Sequence, residues 1–252
     1  MTIQYCSDLH LEFKQNEIYI NAFPLVPKAD ILILAGDIVP LHQIDDRYKF
    51  FDYVSESYKE VYWLPGNHEF YHNDVSAYSG EVLKEIRPNV YLVNNVAFEW
   101  SSFRLIFSTM WSQINLATAW QIERSMNDFH LIKNDGQSFT TQNFNDLHKE
   151  NLVFLESELA KEFNGKTIVI THHVPTMQHY PEEYKGGILN QAFAVDLDQL
   201  IENYHPDYWI FGHHHRNVGD FKIGKTQMLT NQLGYVHLGE NRNFDSGKLI
   251  TV

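Results

Sequence analysis

The sequence predicts an α/β fold organised around mixed β-sheets, and three observations lead to it. Short apolar runs alternate along the chain with segments of helical spacing. Closely spaced strand segments joined by tight turns, between residues 90 and 108, indicate an antiparallel section. Five apolar runs lead directly into a polar turn that carries Asp, Asn or His. Because ligands of α/β sheets gather at the carboxyl ends of the strands, these five turns are expected to meet at one rim.

Apolar or alternating runs that end in turn residues define the predicted strands. The run at 30–35 is apolar after Asp30 and ends at Gly36-Asp37, which is typical of a strand buried on both faces. The remaining predicted strands are 2–7, 60–64, 90–93, 96–100, 103–108, 167–170, 208–211, 218–223 and 248–252.

Apolar residues at three- and four-residue spacing define the predicted helices. These helices are 43–58, 75–86, 116–131, 143–163 and 197–204. In the first helix, Tyr48, Phe50, Phe51 and Val54 can share one face. Pro88 ends the second helix and Gly165 ends the fourth. Since the sequence contains neither an internal repeat nor a linker, one domain covering residues 1–252 is expected.

Composition limits the classes of protein that fit this chain. With 252 residues, 44% of them hydrophobic and 20% charged, the chain can bury a core without a covalent staple. Cys6 is the only cysteine, which excludes an intrachain disulfide and a thiolate metal cluster. The first residues lack the basic and apolar segments of a signal peptide, and no apolar run is long enough to span a bilayer. A cytoplasmic protein without a membrane partner is therefore expected.

The formal charge of the chain is −13, from 19 basic and 32 acidic residues. An acidic surface repels the phosphate backbone at long range, so long nucleic acid is not an expected partner. A small phosphate-bearing substrate remains compatible with this charge if bound cations make the site itself positive.

Seven of the 14 histidines fall in short segments at the ends of predicted strands. The polar strand ends are Asp8-Leu9-His10, Gly36-Asp37, Gly66-Asn67-His68-Glu69, His172-His173 and Gly212-His213-His214-His215. Each of the first two alone is ordinary turn chemistry, but five in succession after apolar strands are not. Carboxylate and imidazole without thiolate suit Zn, Mn or Fe. Because a tetrahedral site takes only four ligands, two adjacent metals sharing a carboxylate would use the whole set.

Residue spacing gives an expected geometry for these segments. Asp8 and His10 are two positions apart, and on an extended stretch their side chains point the same way. The same holds for His213 and His215. In three of the segments a glycine immediately precedes a candidate ligand, at Gly36, Gly66 and Gly212. Glycine allows sharp turns and a close approach of the backbone to a site.

The order of these five segments resembles that of the calcineurin-like metallophosphoesterase superfamily, and the match runs from residue 8 to residue 215. The opening Ser7-Asp8-Leu9-His10-Leu11-Glu12-Phe13 further resembles small bacterial members of unassigned substrate. The resemblance implies a four-layer, metallophosphatase-like fold, in which two packed mixed β-sheets form a sandwich flanked by α-helices with metals on the rim. The Asp-Arg-Gly signature of protein Ser/Thr phosphatases does not follow Gly36-Asp37, which disfavours that branch.

The resemblance also implies roles for the matching residues around two divalent or trivalent ions, either Mn, Fe or Zn. The first metal would take Asp8, His10 and His215, and the second Asn67, His172 and His213. Asp37 would bridge both metals, and His68 would lie beside the phosphate as electrostatic partner or general acid. Three neighbouring residues are not expected to bind metal: Glu69, His173 and His214. Glu69 is expected to support the ligands, and the two histidines either to support them or to lie at the surface.

The expected activity is hydrolysis of a phosphomonoester or phosphodiester, on a small or nucleotide-like substrate, by a hydroxide held between the metals. The substrate-binding candidates are Asn67, Tyr71, Arg124 and Arg216, with Trp111 as a further framing residue. One alternative is a metal-dependent nuclease, against which the missing basic patch counts. Two others are a non-catalytic scaffold on the same fold and a purely structural metal protein, although the latter needs only four ligands. The pattern specifies neither one substrate nor an oligomeric state.

Overall fold

Two six-stranded mixed sheets form the centre of the computed structural model, which describes residues 1–45 and 48–252. The first sheet contains β1 (Thr2–Cys6), β2 (Ile31–Ala35), β3 (Glu60–Leu64), β4 (Val82–Arg87), β5 (Val90–Asn94) and β14 (Leu249–Thr251). Its order is β14-β1-β2-β3-β5-β4, in which the four inner strands run parallel and both edge strands antiparallel.

The second sheet has the same plan. It contains β6 (Val96–Glu99), β7 (Phe103–Phe107), β10 (Lys166–Ile170), β11 (Tyr208–Ile210), β12 (Phe221–Ile223) and β13 (Thr226–Leu229). Its order is β12-β13-β11-β10-β7-β6, again with four parallel inner strands and two antiparallel edges. A short hairpin of β8 (Lys133–Asn134) and β9 (Gln137–Ser138) lies apart from both sheets.

Six α-helices accompany the sheets within the described ranges. They are α1 (Lys14–Ala22), α2 (Tyr48–Ser57), α3 (Ala119–Ser125), α4 (Asp128–Leu131), α5 (Thr141–Leu159) and α6 (Asp198–Tyr204). A capping box between Thr140 and Asn143 begins α5, the longest of them. None of the helices formed by residues 1–45 and 48–252 combines the length and the hydropathy that crossing a bilayer requires.

Alternate residues of the buried strands face different layers, which produces a sandwich covered by helices. In β2, Ile33 faces the core between the two sheets, while Leu32 faces α2. On the far side of the second sheet, Val169 and Trp209 pack against α5 and α6. The layer order is therefore helix, sheet, sheet, helix, and the predicted four-layer α/β fold is confirmed.

Several predicted elements differ from those observed. The predicted helix 75–86 is wrong: a 3-10 turn covers Val75–Tyr78, and β4 follows as an edge strand paired with β5. Gly80 has a φ of +73° and interrupts the helical spacing, and pairing with a neighbouring strand then decides the conformation. Residues 46 and 47 of the predicted helix 43–58 lie outside the described residues.

The remaining differences concern boundaries and pairing. The predicted helix 116–131 is divided into α3 and α4, and α1 and β13 have no counterpart among the predicted elements. The expected antiparallel section contains the β6–β7 hairpin, but β5, directly before it, belongs to the other sheet. The chain thus changes sheets between Asn94 and Val96, where Asn95 has a φ of +49°.

Candidate metal centre

Five strands deliver the predicted site residues to one rim of the sandwich. The turns after β1, β2, β3, β10 and β11 carry Asp8, Asp37, Asn67, His172 and His213, respectively. Backbone hydrogen bonds continue past the strand ends, with the N–H of Asp8 donating to Gly36 O at 2.9 Å. In the second sheet, the N–H of Gly212 donates to His172 O at 3.0 Å. These backbone hydrogen bonds fix neighbouring turns relative to one another without any contribution from side chains.

The first cluster of possible ligand atoms comes from Asp8, His10, Asp37 and His215, whose atoms lie within 4.8 Å of one another. His10 Nε2 lies 2.9 Å from His215 Nε2 and 3.7 Å from Asp37 Oδ2. His215 Nε2 lies 3.4 Å from Asp8 Oδ1. Two carboxylates and two imidazoles thus point at one place, a donor set that suits a transition-metal ion.

The second cluster shares Asp37 and adds His172 and His213, again within 4.8 Å. His172 Nε2 lies 3.4 Å from Asp37 Oδ1 and 3.1 Å from His213 Nδ1. Asn67 lines a cleft together with Asp37 and His213, and its Nδ2 donates to Asp128 Oδ1 at 2.8 Å. Its Oδ1 is buried and has no hydrogen-bond partner among the residues that the structure describes. A buried carbonyl oxygen without a partner fits a metal ligand.

Most of these side chains are directed to the centre by a left-handed backbone conformation and not by an extended one. Positive φ angles occur at five of the proposed ligands: Asp8 (55°), His10 (46°), Asp37 (56°), His213 (79°) and His215 (54°). The expectation that each Asp8/His10 and His213/His215 pair meets along an extended stretch is therefore wrong, although both pairs do reach the centre. Such conformations cost roughly 1–3 kcal/mol each and concentrate at functional sites.

The glycines at the strand ends leave room for the clusters. A Cβ on Gly66 would clash with Asp37 Oδ1 and lie 2.6 Å from His172 Nε2. One on Gly36 would clash with the His172 ring, and one on Gly212 would lie 2.6 Å from Asp8 Oδ2. The backbone thus lies directly against the ligand atoms, as expected for glycine at such a site.

Glu69 holds together the turns after β2 and β3. Its buried carboxylate accepts hydrogen bonds from the N–H groups of Asp37 (2.9 Å), Ile38 (2.7 Å) and Gly66 (2.7 Å), and from Trp63 Nε1 (3.0 Å). Burial and the nearby charge of Asp37 raise the pKa of Glu69 to about 7. It supports the backbone around Asp37 and does not belong to either ligand cluster.

Two further carboxylates orient the histidines of the centre, and sequence reasoning did not find them. Glu12 Oε1 lies 2.8 Å from His68 Nδ1 and 3.2 Å from His10 Nδ1. Glu240 Oε2 lies 2.9 Å from His215 Nδ1. Burial opposes ionisation of both carboxyls, but hydrogen bonds from these histidines lower each pKa to about 2. A carboxylate on Nδ1 leaves Nε2 of the same ring for the centre.

His173 and His214 are buried beside the proposed ligands. The alternative that they lie at the surface is therefore wrong. His214 Nδ1 lies 2.9 Å from Gln232 Nε2, and burial lowers the pKa of His214 to about 4. His173 packs between Trp111 and His213, with ring centroids 5.0 and 4.3 Å away, and burial lowers its pKa as well. Neither ring belongs to a ligand cluster within residues 1–45 and 48–252.

A cleft of about 550 Å³ opens from the centre, and only some of the proposed substrate-binding residues line it. Asn67 and Tyr71 line it, and the Tyr71 hydroxyl donates to Asp128 Oδ1 at 2.8 Å. Arg124 does not line it; its guanidinium lies 4.7 Å from the centroid of the exposed Trp120 ring. Arg216 is likewise outside the lining and binds two carboxylates at the rim. Trp111 is buried in the core below His173.

The charges of the clusters favour the binding of cations. Burial by itself would lower the pKa of His172 and of His215, yet Asp37 and Asp8 raise them to about 10 and about 9. The buried carboxylates therefore attract protons onto the imidazoles that face them. A metal ion supplies the same positive charge and displaces those protons.

Comparisons with known proteins show which family and which fold this chain is similar to. A family model described as calcineurin-like phosphoesterase matches residues 1–217. The chain is 32% identical to the uncharacterised protein L509 of Acanthamoeba polyphaga mimivirus, over 96% of this chain and 94% of that protein. It is also similar to the crystal structure of phosphopantetheinyl hydrolase from Mycobacterium tuberculosis, with a TM-score of 0.70 and 15% identity. That similarity covers 97% of this chain and 93% of the other, and at this identity it concerns the fold.

Gly66→Ala is expected to remove bound metal, because the added methyl would occupy space next to Asp37 and His172. Gly219→Ala is the matched control, since no atom lies within 4 Å of a Cβ at that position. Metal content of both purified variants, measured by inductively coupled plasma mass spectrometry, tests this. Full metal content in folded Gly66→Ala would contradict the assigned centre.

Metal binding at pH 7 is expected to release about two protons, because His172 and His215, with pKa values of about 10 and about 9, are protonated there in metal-free protein. Apparent affinity should rise with pH and level off above these values. Calorimetric titrations in buffers of different ionisation enthalpy measure the number of protons. A proton count near zero, with affinity constant from pH 6 to 9, would show that these imidazoles are not displaced.

Proposed function

The chain belongs to the calcineurin-like phosphoesterase family, and from this premise we propose that it hydrolyses phosphoester bonds at a centre of two cations. The observation that carries the proposal is the position of Asp37, whose two carboxylate oxygens face different groups of histidines. Oδ1 lies 3.4 Å from His172 Nε2, and Oδ2 lies 3.7 Å from His10 Nε2. A carboxylate in this position suits a bridge between neighbouring ions.

The donor atoms divide into two sets of four that share Asp37. One set is Asp8, His10, Asp37 and His215, and the other is Asp37, Asn67, His172 and His213. Carboxylate, imidazole and amide oxygen donors suit Mn, Fe or Zn. Two such ions, when bound, lower the pKa of a coordinated water and polarise a phosphoryl oxygen.

His68 is the proposed proton donor to the leaving group. It lies at the cleft, and its backbone N–H donates to Asp37 Oδ1 at 2.9 Å, which fixes the residue beside the shared carboxylate. Burial would lower the pKa of His68, but Asp37 and Glu12 outweigh this and raise it. The raised pKa favours the protonated ring, and with Nδ1 held by Glu12, Nε2 can donate a proton to the departing oxygen.

Tyr235 is a proposed contact for a phosphate oxygen. Its ring packs against those of both His10 and His215, at centroid distances of 4.9 and 4.5 Å, and it lines the cleft. Burial and the surrounding carboxylates raise the pKa of Tyr235, which keeps the phenol protonated and able to donate a hydrogen bond.

The direct test of the proposed function is turnover after reconstitution with Mn²⁺, Zn²⁺ or Fe²⁺. We expect saturable hydrolysis of 4-nitrophenyl phosphate or bis(4-nitrophenyl) phosphate, which chelation abolishes and Asp37→Asn reduces together with metal content. Asp146→Asn, an exposed position on α5, is the control and should change neither. Fully metallated protein without turnover of either ester would favour the scaffold, and an active, fully metallated Asp37→Asn would exclude the shared carboxylate.

His68→Ala is expected to lower kcat by about 10²- to 10⁴-fold on an alkyl phosphate while retaining metal, because a poor leaving group needs a proton. With 4-nitrophenyl phosphate, whose leaving group departs as an anion, the loss should be much smaller. Steady-state kinetics on both esters measure the difference, and His42→Ala, at an exposed histidine, serves as control. Equal losses on the two esters would remove His68 from the role of general acid.

A further inference from the structure

Away from the ligand clusters, the cleft is bounded mainly by apolar and aromatic side chains. Its wall contains Met126, Tyr180, Tyr184, Leu189, Phe193 and Leu238. The 3-10 turns Glu182–Tyr184 and Ile188–Ala192 carry part of this wall. The volume of about 550 Å³ is that of a site for a whole small molecule, for which about 300–1,000 Å³ is usual. A substrate that reaches the centre must therefore place its remaining atoms against this wall.

No Lys or Arg is among the residues that line this cleft in the part of the chain that the structure describes. Beyond the proposed ligands, the lining carboxylates are Glu183 and Glu240. Metal ions at the centre can neutralise one phosphoryl group, but the wall offers no group that would neutralise a second anion.

Arg216, a cation at the rim, is already engaged by those carboxylates. Its Nε lies 3.0 Å from Glu183 Oε1, and its Nη1 lies 3.1 Å from Glu240 Oε1. Its guanidinium also lies 5.4 Å from the centroid of the Tyr184 ring. One cation thus faces two carboxylates, and this part of the rim repels a further negative charge.

We propose that the natural substrate carries a single phosphoryl group whose leaving group is uncharged and partly apolar or aromatic. The inference rests on the proposed function, because it assumes that the phosphoryl group binds at the metal centre. Burying an anion without a partner costs far more than burying an aromatic or aliphatic group, which gains free energy on leaving water. Phosphoesters whose leaving group bears further phosphates or carboxylates are therefore disfavoured.

Three hydrolysis-resistant phosphonates report how the group attached to phosphorus affects binding, without the contribution of the chemical step. They are methylphosphonate, phenylphosphonate and 4-carboxyphenylphosphonate. Each is measured as a competitive inhibitor of 4-nitrophenyl phosphate turnover by the reconstituted protein. Phenylphosphonate should inhibit at a concentration about tenfold lower than methylphosphonate, because its ring is buried. The carboxylate of the third compound should remove most of that gain. Equal inhibition by the methyl and phenyl compounds, or tighter binding of the carboxylated one, would overturn the proposal.

A matched pair of exposed leucines places the effect in the cleft. Leu238, 63% exposed, lines it, whereas Leu116, 68% exposed, does not. Leu238→Ala should weaken phenylphosphonate several-fold and leave methylphosphonate unchanged, and Leu116→Ala should affect neither. Equal effects of the two variants would contradict binding at this wall. If none of the esters is turned over, the proposed function itself is refuted. If the protein turns over 4-nitrophenyl phosphate but binds 4-carboxyphenylphosphonate more tightly than phenylphosphonate, only this inference is refuted.

Discussion

A single buried carboxylate, Asp37, stands between two groups of histidines, and the rest of the rim is arranged to keep it there. It is fully enclosed, and an ionised carboxylate in such a place is stable only with positive charge or hydrogen bonds around it. Although burial works against ionisation, His172 and His68 hold its pKa well below the usual range. Glu69 anchors its backbone N–H, and Gly66 leaves room for its side chain. Without positive charge from histidines or from bound cations, the interior could not accommodate the ionised carboxylate.

Sequence patterns were sufficient for the fold class and for the residues that meet at the rim, because both depend on local signals. Strands such as β2 are continuous apolar runs, and each ends in a recognisable polar turn. The edge strand β4 could not be predicted this way, since only pairing with β5 decides its conformation. Left-handed backbone at Asp8 and His213 was equally inaccessible, because neighbouring turns impose it and the residue type does not.

The supporting residues of the site show the same limit. Glu12 lies within the opening motif of residues 7–13, two positions after His10, so the sequence carries a local signal for its role. Asp128 and Glu240 reach Asn67 and His215 from 61 and 25 positions away, and no spacing rule connects them. Arg124 shows the converse: although it was a candidate substrate contact, its guanidinium lies 4.7 Å from the centroid of the Trp120 ring and outside the lining of the cleft. Tertiary packing, and not local pattern, decides which polar side chains serve a site.

Arg216 and Glu240 join the rim to the centre in a way that has a thermodynamic corollary. Glu240 holds Arg216 with one oxygen and His215 Nδ1 with the other, while Arg216 also holds Glu183 beside the aromatic wall. A reorientation of Glu183 or Arg216 would therefore alter the electrostatic field at His215. Occupation of the wall and occupation of the centre would then be coupled equilibria, and by reciprocity each would alter the affinity of the other by the same factor.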